Sequence, residues 1–294
     1  MNTLSNTDQP MTLREAIDAG RFVRAPGCYD ALGARLAECH GFPAVYMSGL
    51  GVTASLLARP DLELLGMEEM VRQAGLIASA VQIPVIADAD TGYGGLANVE
   101  RTTRAFVQAG VAAIHLEDQA SPKRCGHLGG VRLISEEQML TKLRVAVETR
   151  GDAEMLIIGR TDGFKAVDLD AAIRRAVRYA EAGADLLFVD GITEPDDFRR
   201  VRDKVDGRLM GSVVEIDAPA KTKASQLEEM GYSIAVYALS GILAAAGALD
   251  RLMADLAARG DTDGSAERMM RYSELSENVG IQEYHKLWDR LTQD

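Results

Sequence analysis

Acidic and cationic side chains recur directly after short apolar runs in this sequence. Asp88 and Asp90 follow Val85–Ala87, Glu117 follows Ala113–Leu116, Arg160 follows Leu156–Gly159 and Asp190 follows Leu186–Val189. Ser212 and Glu215 close the run that starts at Leu209. If these runs are strands whose ends share one face, several carboxylates meet there, and burying them unpaired is costly. A divalent cation resolves that repulsion. Asp88, Asp90 and Glu117 are hard oxygen ligands without a His pair or a Cys cluster, which favours Mg²⁺, or Mn²⁺, over Zn²⁺. Mg²⁺ keeps several of its waters, so some of these acids would act through water. The competing reading is that they cap following helices or pair with Arg160.

A second feature is the polar, Gly-rich segment from Ser121 to Gly130. Here Cys125 is flanked by Lys123, Arg124 and His127, and cationic neighbours stabilise a thiolate. The glycines suit a lid that closes over an anionic substrate; the alternative is a mobile basic loop with an incidental cysteine. Cys28 and Cys39 read as packing residues. His40 and His285 read as surface or satisfied histidines, whereas His115 stands between packing and a role beside the site. The glycines of Ser48-Gly49-Leu50-Gly51 and of Asp88–Gly94 would let backbone N–H groups approach a carboxylate, although glycine is also the ordinary residue of such turns.

The elements that must position these residues are legible as a repeat. Strands are expected at Phe22–Ala25, Ala44–Met47, Val85–Ala87, Ala113–Leu116, Leu156–Gly159, Leu186–Val189, Leu209–Val213 and Ile234–Tyr237. They are apolar throughout rather than alternating, as parallel strands covered on both faces are. Between them lie helical patterns such as Asn98–Ala109 and Asp170–Ala182, each followed by Gly. Eight strands alternating with helices predict a (β/α)₈ TIM-type barrel. The open doubly wound sheet is the alternative, but no Gly-rich phosphate fingerprint follows the first strand. One domain is expected over residues 1–294, with Ala244–Ala258 as the eighth helix and about 260–294 as a C-terminal helical extension. Leu275, Val279, Ile281, Tyr284, Leu287 and Trp288 in that tail need cover, from a neighbouring subunit or from the chain's own barrel.

The 294 residues carry 44 acidic and 32 basic side chains, a formal charge of −12, which argues against nucleic acid or an anionic membrane as partner. No apolar run reaches the roughly 18 residues of a membrane span. The first eleven residues show neither a basic nor an apolar signal region. Three cysteines are too few and odd for a disulfide framework, so the cytoplasm is the expected compartment.

The segments YMSGLG, DADTGYGG, HLEDQ, PKRCGH and GRTD, in this order over roughly residues 10–290, resemble the isocitrate lyase/phosphoenolpyruvate mutase superfamily, its methylisocitrate lyase-like branch above all. The resemblance implies a (β/α)₈ barrel, a homotetramer with a C-terminal helix exchanged between subunits, Mg²⁺, and a 2-oxo or 2-hydroxy acid ligand. By position, Tyr46, Ser48, Gly49 and Leu50 would hold a pyruvate-like carboxylate. Asp88 would be the direct metal carboxylate, with Asp61, Asp90 and Glu117 on metal-bound waters. Arg160 would contact the substrate, and Lys123, Arg124, Cys125 and His127 would form the gating loop. Two positions depart from the pattern. Ser212-Val213-Val214-Glu215 stands where methylisocitrate lyases show Asn-Ile-Thr-Glu, and Asp190 stands where the family has Glu. Each lost contact to a buried distal carboxylate costs about 1.5–3 kcal/mol, so the substrate tail should differ while the pyruvate half is intact.

The expected activity is Mg²⁺-dependent carbon–carbon cleavage of a 2-hydroxy di- or tricarboxylate, methylisocitrate- or dimethylmalate-like, into a 2-oxo acid such as pyruvate and a second carboxylate. Tyr46 or a metal-bound group would take the hydroxyl proton, Arg160 and the basic loop would stabilise the departing charge, and Cys125 would act as general acid/base. Ser48, Gly49, Leu50, Arg160, Asp190, Ser212 and Glu215 would bind substrate. The alternatives are a carboxyphosphonoenolpyruvate or phosphoenolpyruvate mutase-type enzyme, an oxaloacetate hydrolase or decarboxylase, and a non-catalytic small-acid binding protein.

Overall fold

The structure, a computed structural model, describes residues 11–124 and 130–292. Eight strands, β1 (Val23–Cys28), β2 (Val45–Met47), β3 (Val85–Asp88), β4 (Ala113–Glu117), β5 (Leu156–Thr161), β6 (Leu186–Val189), β7 (Leu209–Ser212) and β8 (Ile234–Tyr237), pair in parallel and close in sequence order. The β1–β8 pairing, with Val23 opposite Ile234, removes the sheet edges and rules out the open sheet.

Side chains along a strand alternate between two faces. Tyr46, Ile86, Ala113, Ile158, Phe188, Met210 and Val236 fill the barrel interior, which Leu13 and Ile17 of the helix Leu13–Asp18 plug from the N-terminal side. Val45, Met47, Val85, Ala87, Ile114, Leu116 and Ile157 face outward, onto Ile77, Phe106, Leu143 and Tyr179 of the surrounding helices. Counting on by two from the interior residues gives Ser48, Asp88 and Asp90, His115 and Glu117, Arg160 and Asp162, Asp190 and Ser212. The apolar layers of the barrel therefore give way to a polar layer at the C-terminal ends, the face where such barrels build sites.

Local chemistry sets the element ends. The helix Leu169–Glu181 begins where the Asp168 carboxylate accepts the Ala171 N–H at 2.7 Å, and Gly183 ends it in the left-handed region at φ +96°. The first strand runs past its expected end at Ala25, through Pro26 and Gly27, because it closes against β8. A Cβ on Gly27 would stand 2.4 Å from the Tyr237 carbonyl oxygen. The last barrel helix spans Ser240–Arg259, longer at both ends than the expected Ala244–Ala258.

Cys28 is buried as expected. Cys39 is not a packing residue: it ends the helix Ala31–Cys39 and is exposed. It lies five residues beyond Ala34, the buried position of that helix, and so about 140° around it. His40 and His285 are exposed. In the tail, the helices Tyr272–Asn278 and Ile281–Leu291 leave Tyr272, Trp288 and Leu291 largely in solvent. They touch the barrel through Arg35, whose Nε donates to the Asn278 carbonyl at 3.1 Å. No described helix is long and apolar enough to cross a membrane.

Candidate active site

Asp88 ends β3 and is buried. Its Oδ1 accepts the Asp90 N–H at 3.0 Å and its Oδ2 accepts the Gly49 N–H at 3.3 Å. A Cβ on Gly49 would lie 2.6 Å from Asp88 Oδ2, so only glycine lets that backbone reach the carboxylate. Burial would raise the Asp88 carboxyl, but His115, Lys123 and Arg160 outweigh it and hold the group at about 2. Asp90, two residues on, has φ +48°. Burial raises its carboxyl to about 6, against the pull of Lys123.

The Lys123 ammonium enters this acid cluster. Its Nζ stands 2.7 Å from Asp61 Oδ2 and 2.6 Å from Asp90 Oδ1, and the residue is buried. Burial would lower its pKa, but Asp90, Glu117, Asp88 and Asp61 overcome that and raise it well above the ordinary range. Glu63 anchors the foot of the segment: its carboxylate accepts the Ser121 hydroxyl at 2.6 Å, the Lys123 N–H at 3.0 Å and the Thr91 hydroxyl at 3.0 Å. Sequence reasoning missed Glu63. Its φ of +60° and its partners 28, 58 and 60 residues away leave no local signature. Arg124 turns away. Its side chain is exposed, while its N–H donates to Gln119 Oε1 at 3.0 Å and its carbonyl accepts the Gln119 amide at 2.8 Å. Cys125 and His127 lie outside the described residues.

Arg160, from β5, is the second buried cation. Its Nε and Nη2 meet the two oxygens of Asp162 at 3.0 and 2.9 Å, and Nη2 also donates to Asp190 Oδ2 at 2.8 Å. This fork grips both oxygens of Asp162 while reaching Asp190, a bidentate geometry that a lysine ammonium cannot reproduce. Asp162, the last residue of the GRTD segment, had no role assigned to it from the sequence. Asp118 completes the support from behind, accepting from Thr161 Oγ1 at 2.6 Å and Tyr179 OH at 2.7 Å.

Glu117 pairs with Arg160 in strand register and lies 3.3 Å from its Nε, yet neither carboxylate oxygen has a hydrogen bond among the described residues. Burial drives this carboxyl well above its usual range despite Arg160. Two orphaned oxygens beside Asp88 and Asp90 suit a hydrated hard cation. Among the described residues no three His, Cys, Asp or Glu side chains converge as a ready-made ligand set. The donors therefore fit Mg²⁺ held by one carboxylate with the rest through water, and do not fit a closed cage.

His115, opposite Asp88 in the β3–β4 pairing, is fully buried. Its Nε2 lies 2.8 Å from the Tyr46 hydroxyl and 3.6 Å from Asp88 Oδ1. Burial lowers its pKa to about 4, so the ring is neutral at pH 7, and Lys123 and Arg160 are then the cations that keep Asp88 ionised. Burial, with Asp88, raises the Tyr46 phenol well above its ordinary value. At neutral pH Tyr46 is a donor.

Tyr46, Ser48, Leu50, Asp61, Asp88, Arg160, Asp190 and Ser212 line one small cavity of about 50 Å³, closed by Phe188, Ala238 and Leu239. Gly49, Asp90, Glu117 and Lys123 reach it through the contacts above. Glu215 does not line this cavity; it accepts the Ser240 hydroxyl at 2.9 and 3.0 Å, next to the cavity-lining Leu239.

Comparison with known proteins agrees with this geometry. Residues 13–257 match the family described as phosphoenolpyruvate phosphomutase. The chain is 38% identical to 2,3-dimethylmalate lyase of Eubacterium barkeri, over 94% of this chain and 95% of that one. It is also 38% identical to 2-methylisocitrate lyase of Aeropyrum pernix, over 94% and 89%. The fold superposes on an oxaloacetate acetylhydrolase bound to 3,3-difluorooxalacetate with a TM-score of 0.91, at 29% identity over 98% and 99% of the two chains. A phosphonopyruvate hydrolase complexed with oxalate and Mg²⁺ aligns at a TM-score of 0.85, with 28% identity over 95% and 99%. These relatives, matched over nearly the whole chain, make the protein an enzyme, as the resemblance led us to expect of a carbon–carbon lyase. With its closed barrel and its polar C-terminal layer, the chain belongs to the phosphoenolpyruvate mutase/isocitrate lyase superfamily.

Proposed function

We propose that the enzyme is a Mg²⁺-assisted lyase for a short, branched 2-hydroxy dicarboxylate of the dimethylmalate kind, releasing a 2-oxo acid such as pyruvate and a second carboxylate. The observation that carries this reading is the small cavity in whose lining Arg160, stacked 5.6 Å over the Phe188 ring, stands with the apolar Ala238 and Leu239. A guanidinium beside an apolar wall suits an acid whose tail carries methyl groups. Ser212 and the buried Val214 offer little to a distal carboxylate, which argues against a tricarboxylate.

Asp88 would hold the cation directly, and Asp61, Asp90 and Glu117 would hold its waters; Mn²⁺ suits the same oxygens. When bound, the cation supplies Lewis-acid polarisation of the substrate's carboxylate and 2-oxygen. The chain's own groups do the rest. Ser48, Gly49 and Leu50 open the helix Gly49–Leu57, whose N-terminal end favours the substrate carboxylate. Tyr46, fixed by His115, donates to a substrate oxygen rather than serving as the base. The 2-hydroxyl proton would pass to a carboxylate of the acid cluster, Asp90 or Glu117, whose carboxyls burial raises. Arg160, fixed by Asp162 and Asp190, stabilises the departing negative charge. Cys125 as proton donor to the carbanion rests on its cationic sequence neighbours Lys123, Arg124 and His127.

The likeness to oxaloacetate acetylhydrolase supports a second reading, hydrolysis of oxaloacetate to oxalate and acetate. A Mg²⁺-supplemented screen of 2-hydroxy di- and tricarboxylates, with oxaloacetate and phosphonopyruvate included, separates them. We expect 2-oxo acid release, fastest from dimethylmalate-type acids. Oxalate release would favour the second reading, and a phosphorus NMR change would favour carbon–phosphorus chemistry. Stabilisation by oxalate with Mg²⁺ but no turnover would indicate a binding protein.

Assembly into a homotetramer is part of the same proposal, supported by the exposed Tyr272, Leu287, Trp288 and Leu291 of the tail. Light scattering should give a mass of four chains; a monomer would overturn it.

A further inference from the structure

The turn after β3 contains a residue that the proposed chemistry does not use. Tyr93 has φ +57°, a backbone region that a bulky aromatic rarely adopts. Its hydroxyl is buried without a well-aligned hydrogen bond among the described residues, and the polar group that faces it is the Asp90 carboxylate. Its ring packs against the core between strands and helices. Phenylalanine would fill that space without burying an unpaired hydroxyl, which is destabilising. One residue thus carries two unfavourable features, and both bring a phenol to the acid cluster. Burial first, and then Asp90, Asp88 and Glu117, hold the phenol well above its ordinary value and keep its proton in place. The turn is shaped for this approach: Gly92 has φ +81° and Gly94 φ +139° on either side. Strain of this kind persists where the surrounding structure enforces it, and it clusters at ligand sites.

The chemistry of the neighbourhood selects the ligand. Carboxylates offer the phenol only acceptors, and both oxygens of Glu117 lack a hydrogen bond of their own among the described residues. A hydrated dication brings water molecules that are strong donors. We propose that Tyr93 is a positioning residue for the hydration shell of the divalent cation, accepting a hydrogen bond from one of its waters while donating its own proton to the carboxylate cluster. This rests on the Mg²⁺ reading above. Groups that orient a metal's ligands without touching the metal contribute about 10-fold or more to its affinity.

The test uses the full chain without substrate. Mn²⁺ binding is followed by electron paramagnetic resonance for wild type and Tyr93→Phe, alongside thermal unfolding in EDTA and in Mg²⁺. We expect Tyr93→Phe to bind Mn²⁺ about 10-fold more weakly. In EDTA its melting temperature should be unchanged or higher, because an unpaired buried hydroxyl has gone, so the Mg²⁺-induced rise should shrink. Equal Mn²⁺ affinities for the two proteins would overturn the proposal while leaving the Mg²⁺ reading intact. A wild type that takes up no Mn²⁺ would overturn both.

Discussion

The Lys123 ammonium lies 2.7 Å from the Asp61 carboxylate, a contact across 62 residues that places a loop cation inside a barrel acid cluster. The same Nζ touches Asp90 at 2.6 Å. Without a dication, this is the charge that makes Asp61 and Asp90 tolerable in the interior. Lys123→Met keeps the length of the side chain and removes the charge. Breaking a buried pair from one side costs about 3–5 kcal/mol. Denaturant unfolding in EDTA should show a loss of that size, and excess Mg²⁺ should recover much of it. A variant equally stable in both conditions would show that Lys123 is not the balancing charge.

Gly49→Ala tests the backbone contact to Asp88. The new Cβ would sit 2.6 Å from Asp88 Oδ2, so the carboxylate must swing aside. We expect a folded barrel by circular dichroism, with Mg²⁺-dependent activity reduced more than 100-fold, on the order of 3 kcal/mol. Activity near wild type would mean that Asp88 need not stay where Gly49 holds it.

Arg160→Lys tests the guanidinium fork. A lysine cannot hold both Asp162 oxygens from two nitrogens while also reaching Asp190. Turnover should fall at least 100-fold, on the scale of losing one charge-stabilising donor. Steady-state kinetics on whichever acid the screen identifies decides this. A change confined to KM would assign Arg160 to binding alone.

Alkaline stability follows from Cys28. Its thiol is pushed up from 9.0 to about 12, by burial first and by Asp30 second. Between these values the folded chain keeps a proton that the unfolded chain releases, so stability falls as pH rises. The slope from this group approaches about 1.4 kcal/mol per pH unit. Cys28→Ala should flatten the decline in pH-dependent denaturation above pH 9. In the native protein, maleimide should label Cys39 and spare Cys28; mass spectrometry of the labelled peptides reads this directly.

Much of the molecule can be read from local pattern. Fully apolar strand runs followed by Gly-terminated helices imply a parallel barrel, because a strand buried on both faces has no polar positions to spare. Period two then carries each interior position into the site: Phe188 leads to Asp190, and Ile158 to Arg160. Tyr46, Ser48, Asp88, Asp190 and Ser212 line one cavity because strand parity and barrel closure leave them no other place. Other contacts depend on distances between segments far apart in sequence. That Glu63 pins Ser121 and Lys123, that Asp61 meets Lys123, and that Arg160 is shared between Asp162 and Asp190 are outcomes of packing. Arg124 shows the same limit from the other side, since it is one residue from Lys123 and yet points to solvent. Residue types and spacing specify which charges reach the barrel mouth; three-dimensional packing assigns each charge its partner, because electrostatic pairing depends on separation in space and not on separation along the chain.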